Sequence, residues 1–409
     1  MVFRDATTLG TALIFGYYES TREDCTRVGR TVVVGAVAVG VCIALGGCSS
    51  AKTEAPAAAP RIPRDRTFND AARFLAGLAG EAGSPYLQLE KLEAWQSHAK
   101  DFETAFKRSD DRLLRPVREF QARELKGAAT GGFVYYPFSG PDVLYVQSFY
   151  PDAKHYLLCG LERPGSILAP APFHSETLGS QLTGIRQGSA SLLHRSFFIT
   201  NEMSEQFRGQ LMDGLLPVAL MLMARSGNTI DNMRYLTLDE SGRPVEIAKT
   251  EETRGAQPDG FEIVFRRNGE DEQRTLTYLR LDMGLALKED SALLKYLGSQ
   301  QRPRILLKSA SFLLHSKNFS VMRNYLLKNA DLIVQDDSGI PYYSYREHNW
   351  TVDLYGQYRQ PGPPFTGRLQ QDLLDAYAVA GRVKEKNFSM GYGTGLRPTT
   401  LLIARHPGR

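Results

Sequence analysis

Cysteine is scarce in this sequence. The 409 residues contain four, Cys25, Cys42, Cys48 and Cys159, and no two of them form a C-x-x-C pair. The histidines His98, His155, His174, His194, His315, His348 and His406 stand in no H-E-x-x-H arrangement, so no metal site is expected. Neither a G-x-S-x-G elbow nor a β-lactamase-type serine motif is present, which removes familiar serine-hydrolase signatures. Basic blocks with interleaved aromatics are missing as well. The net charge of +4 is small and spread along the chain, which argues against a nucleic-acid partner. Long apolar stretches are few. Leu211 to Met223 is apolar nearly throughout but holds Pro217, and at about 13 residues it is too short to cross a bilayer. It predicts a buried core helix.

What is present is the balance of a folded globular protein, with 42% hydrophobic and 23% charged residues. The informative stretch is Arg27 to Ser50, RVGRTVVVGAVAVGVCIALGGCSS. Arg27 and Arg30 supply a basic start, Thr31 to Ala44 an apolar segment, and Gly46 and Gly47 small residues before a cut, the layout of an export signal. Leu45-Gly46-Gly47-Cys48 resembles the bacterial lipobox. The resemblance implies that the Cys48 thiol receives a diacylglycerol, that the chain is cut before it, and that its new amine is acylated with a fatty acid such as palmitate. More than one acyl chain gives stable anchoring. The alternative is an uncut signal anchor, since Thr31 to Gly47 is about 17 residues, the lower edge of a membrane-spanning helix. The polar leader Met1 to Thr26 is long for a signal and suggests a later start, for which Val28 is a candidate. On this reading the protein is a membrane-anchored lipoprotein of the cell envelope, facing outside the cytoplasm. In a Gram-negative source it would be periplasmic or at the outer membrane, because Ser49 is not the aspartate associated with inner-membrane retention.

The chain then divides by composition. Residues 1–47 are leader and signal peptide, and residues 48–66 an Ala/Pro-rich tether. Residues 67–128 form a helical extension, with Leu92, Trp95, Ala99, Phe102 and Phe106 on one face and a break or kink at Pro116. It either packs on the main body or is offered to a partner. Residues 129–409 alternate short apolar runs with helical segments. Phe133–Phe138, His155–Leu161, Ile305–Leu307, Leu332–Val334, Thr351–Tyr355 and Thr400–Ala404 read as strands, the last as an edge strand. Helices are predicted over Asp142–Phe149, Val321–Lys328 and Leu369–Ala380. Turn residues at Glu240-Ser241-Gly242 and Asn268-Gly269 predict two hairpins within about 231–283, as an insertion or an antiparallel extension of the sheet. The expected fold is α/β: a mixed central sheet with helices on both faces, an N-terminal helical extension and a β-hairpin insertion.

The candidate site follows from that alternation. Val134 to Asp142 (VYYPFSGPD) is a strand running into a turn and a helix, where doubly wound folds bind ligands. The next strand ends near Glu162, where such folds often place an acid. Asp331 to Asp337 (DLIVQDD) is a strand ending in paired carboxylates. Together these resemble a degenerate Rossmann-type domain, similar in layout to the S-adenosylmethionine-dependent methyltransferases, over Gly131–Glu162 and Arg304–Arg409. The turn departs from the family in having Gly140 alone, followed by Pro141, where the family's loop carries several glycines. Export would also remove the domain from the compartment that supplies such cofactors, so none is expected.

The candidate crevice is lined by Ser139, Gly140, Asp142, Glu162, Asp336 and Asp337. Adjacent residues on a strand face opposite sides, so Asp336 and Asp337 are poorly placed to share one proton. They read either as a turn-forming Asp with a solvated neighbour, or as Asp337 facing the crevice of Asp142. Cys159 lies in an apolar run and reads as a buried structural thiol. Gly391 to Gly395 reads as an aromatic loop rather than a phosphate loop. The tyrosine-rich run Pro341 to Arg346 suits protein or carbohydrate contacts or ordinary strand packing. Two functional readings stand: a binding or assembly module with no catalysis, and an enzyme. The enzyme would be an envelope hydrolase or transferase using the crevice carboxylates as acid and base, or methyltransferase-like.

Overall fold

A computed structural model of the chain describes residues 61–166, 176–195, 214–247, 259–361, 367–392 and 399–407. The export signal, Cys48, the tether up to residue 60, His174 and the glycines of the 391–395 loop after Gly391 lie outside the described residues. The helices are α1 (Arg66–Leu75), α2 (Glu93–Ser109), α3 (Arg115–Glu124), α4 (Val143–Phe149), α5 (Leu178–Arg195), α6 (Leu216–Arg225), α7 (Ala292–Ser299), α8 (Ser320–Asn329), α9 (Tyr342–Glu347) and α10 (Gln371–Ala378). The strands are β1 (Phe133–Tyr136), β2 (His155–Gly160), β3 (Asn228–Leu238), β4 (Pro244–Glu246), β5 (Gly260–Arg267), β6 (Arg274–Arg280), β7 (Arg304–Leu307), β8 (Leu332–Gln335), β9 (Thr351–Gly356), β10 (Val383–Lys384) and β11 (Thr400–Arg405).

All the strands join one mixed sheet in the order β10-β9-β11-β8-β7-β1-β2-β6-β5-β3-β4. The stretch β6-β2-β1-β7-β8 is parallel throughout. β11 runs antiparallel between β8 and β9, so the expected closing edge strand is internal. Four consecutive buried residues in β1 mean that both faces are covered. Val134 and Tyr136 enter a core shared with α1 to α6. Phe133 and Tyr135 point the other way, into a core with α7 and α8. The fold is thus mixed α/β, with helices on both faces.

The strands described within 231–283 are continuous with this sheet. β3, β5 and β6 pair antiparallel in turn, and β6 then pairs parallel with β2 along His155 to Gly160. The helical segment shares the larger core: Phe74, Trp95, Phe102 and Phe120 are buried in it, and the Trp95 indole donates to the Phe74 carbonyl at 3.1 Å. A π-type turn at Asp110–Leu114 joins α2 to α3, which carries Pro116 in its first turn where its missing N–H does no harm. Of the apolar helix expected over Leu211–Met223, residues 211–213 lie outside the described residues, and the rest is observed from Leu216 as α6, with Pro217 likewise near its start. The tyrosine run is α9, not a strand: Tyr342 and Tyr345 are buried while Tyr343 is 47% exposed. Cys159 is a buried free thiol, and burial pushes its pKa well up.

Candidate functional site

The parallel strands deliver their carboxyl ends to one side of the sheet. β1 and β7 are adjacent there, and the chain leaves them toward opposite halves of the sheet, which makes their junction the switch point of the topology. After β1 the backbone passes through two positive φ angles, Phe138 at 59° and Gly140 at 53°. It then enters α4 with Asp142 as cap, its Oδ1 accepting from the Tyr145 amide at 3.3 Å. The other carboxylate oxygen accepts from the Tyr136 hydroxyl at 2.9 Å and from Lys308 Nζ at 2.5 Å.

Lys308 is the residue that follows β7, and its side chain and that of Asp142 are each 2% exposed. Its ammonium also lies 3.7 Å from the centroid of the Tyr145 ring, on the ring face. Burial lowers the Lys308 pKa, against the pull of Asp142 and Asp336. Ser309 follows with φ at 60° and a buried hydroxyl that has no hydrogen-bond partner among the described residues.

The remaining candidates gather elsewhere. The Ser139 hydroxyl donates to the carbonyls of Gly140 and Cys159, at 3.1 and 3.2 Å, and ties the turn to β2. Glu162 lies over Gly140: a Cβ on that glycine would sit 3.6 Å from Glu162 Oε1. The Tyr278 hydroxyl at the end of β6 holds Glu162 from the far side, donating to its Oε2 at 3.2 Å and to its carbonyl at 2.9 Å.

Asp336 is buried and closes a turn, accepting from the Ser338 amide at 2.9 Å, the Ser338 hydroxyl at 2.5 Å and the Ser309 amide at 3.3 Å. Burial raises its pKa despite those bonds. Gly391 presses on the same carboxylate, where a Cβ would come within 2.1 Å of Oδ2. Asp337 is half-buried and borders a recess of about 10 Å³ with His315, Arg368 and Tyr392, room for about one water. Burial, aided by Arg368, drives the His315 pKa down to about 4.

The six proposed crevice residues therefore fall into three groups: Asp142 with Lys308, Ser139 and Gly140 with Glu162, and Asp336 and Asp337 at the end of β8. Sequence reading missed Lys308, Tyr136 and Tyr145 as partners of Asp142. The available signal was a lysine directly after the apolar run Ile305-Leu306-Leu307, where a buried strand brings a charge to the sheet's carboxyl edge. No group of three His, Cys, Asp or Glu side chains among the described residues is arranged to hold a metal ion. No helix among them is long and apolar enough to cross a membrane. No family model matches the chain, and neither a curated protein nor a solved structure matches it.

Proposed function

We propose that this protein is a binding or assembly module without catalysis, held at a cell-envelope membrane by lipid on Cys48 and facing away from the cytoplasm. The observation that supports it most is what fills the switch point. Ligands of doubly wound sheets enter there, and here the 2.5 Å Lys308–Asp142 pair occupies the space, closed in by Tyr136 and Tyr145. The Glu162 carboxylate takes the place above Gly140, where a glycine loop would receive a cofactor's phosphate. A negative charge at that point repels such a group. The Asp142, Glu162 and Asp336 carboxylates have separate hydrogen-bond partners among the described residues, and the recess that Asp336 and Asp337 share with His315 has room for about one water, too little for a hydrolase substrate.

A Rossmann-type, methyltransferase-like enzyme has one observation in its favour. Counted among the parallel strands alone, the sheet reads third, second, first, fourth, fifth across β6-β2-β1-β7-β8, a doubly wound order. Thermal unfolding of the full chain with S-adenosylmethionine separates the readings. A ligand at a hundred times its Kd stabilises by about 2.7 kcal/mol. The module reading predicts an unchanged Tm, whereas a rise of several degrees with S-adenosylmethionine would replace it by the methyltransferase-like one. Mass spectrometry of the mature amino terminus tests the placement: an acylated Cys48 is expected, and an uncut, unmodified chain would contradict it.

A further inference from the structure

A groove of about 800 Å³ opens beside the β9–β10 edge, and its walls carry Arg123, Arg359, Lys384 and Lys386 against the single acid Glu385. That volume lies within the usual range for small-molecule sites, about 300–1,000 Å³. The fold builds this wall from distant parts. The Tyr355 hydroxyl of β9 donates to Glu124 Oε2 at 2.8 Å, which fixes the end of α3 and hence its neighbour Arg123 against the strand. Arg359 comes from the segment after β9, and Lys386 from just beyond β10.

The cations are short of counter-charges. Lys384 shares Asp353 at 3.1 Å, but Arg123, Arg359 and Lys386 form no ion pair among the described residues. The Lys386 ammonium instead donates to the Phe388 carbonyl and the Thr399 hydroxyl, both at 2.6 Å, and stands 4.6 Å from the Phe388 ring centroid. Burial brings its pKa down to about 7, although Asp336 and Asp337 pull the other way. A half-buried ammonium without a carboxylate is stabilised by an incoming negative charge. Arginine forks match phosphate and carboxylate oxygens in pairs, and a concave wall in which cations outnumber acids focuses the field on such a ligand.

We propose that this groove binds a small organic polyanion, its phosphate or carboxylate oxygens held by Arg123, Arg359 and Lys386. The groove's size and its short row of cations suit a compact molecule rather than a polymer, which would need an extended basic track. The proposal rests on the reading of the protein as a binding module, at a site separate from the switch point.

Calorimetric titration of the full chain at low ionic strength with pyrophosphate and with citrate tests it. Saturable binding of at least one probe is expected, weakened at least tenfold in Arg123→Ala/Arg359→Ala. It should be retained in Arg108→Ala/Arg346→Ala, which removes two exposed arginines elsewhere. The preferred probe tells phosphate from carboxylate chemistry. Absence of saturable binding by either probe, or equal loss in both double variants, would overturn the groove and leave the module reading standing. A Tm rise with S-adenosylmethionine would do the reverse.

Discussion

A lysine ammonium and an aspartate carboxylate, each 2% exposed and 2.5 Å apart, sit where ligands enter comparable sheets. Taking both ions out of water costs several kcal/mol apiece, and good geometry with further hydrogen bonds must offset that cost. Asp142 has those bonds from Tyr136 and the Tyr145 amide, and Lys308 has the Tyr145 ring face. Removing one partner leaves the other charge buried alone. Lys308→Met is therefore expected to destabilise the fold by about 3–5 kcal/mol in urea unfolding. The Lys308→Met/Asp142→Asn double variant should lose clearly less than the sum of the single losses. Additive losses would mean that the two side chains do not act as a pair.

At the scale of elements, what could be read in the sequence depended on how local the cause was. The β1–turn–α4 unit was legible because its parts lie within a few residues: apolar Val134 to Tyr136, Gly140 for a positive φ and Asp142 as a cap. The hairpin signals marked strand ends for the same reason. The partner of Asp142 was not legible, since Lys308 is 166 residues away and only strand order brings β7 beside β1. Order is set by packing on both faces, which a local pattern does not encode. β11 was misplaced at the edge because an apolar strand reads alike whether one neighbour or two flank it. The strand alternative for the tyrosine run fails for a different reason. Aromatic residues favour strands, but burial of Tyr342 and Tyr345 with Tyr343 exposed follows the helical period. The groove went unread because Arg123, Arg359 and Lys386 are scattered along the chain.

Across the whole molecule, titratable groups buried in their uncharged form link stability to pH. His98 on α2, His155 in β2 and His315 beyond β7 all have their pKa lowered to about 4, chiefly by burial. Unfolded, each takes up its proton near 6.5. Between those values the unfolded chain binds more protons, so this stability is complete above about pH 6.5 and is lost as pH falls through 4. The Tm is expected to be lower at pH 5 than at pH 7 by on the order of 5 °C. Replacing any of the three by a neutral side chain that keeps its packing should shrink the difference.

The account as a whole depends on the switch point being closed by the protein's own charges. Amine-reactive labelling of the folded full chain, read lysine by lysine by mass spectrometry, tests this most directly. Lys308, at 2% exposure, should resist the reagent until the protein unfolds, while Lys384, at 50%, should label at once. Labelling of Lys308 at the rate of Lys384 would mean that the crevice stands open, and the module reading would lose its main support.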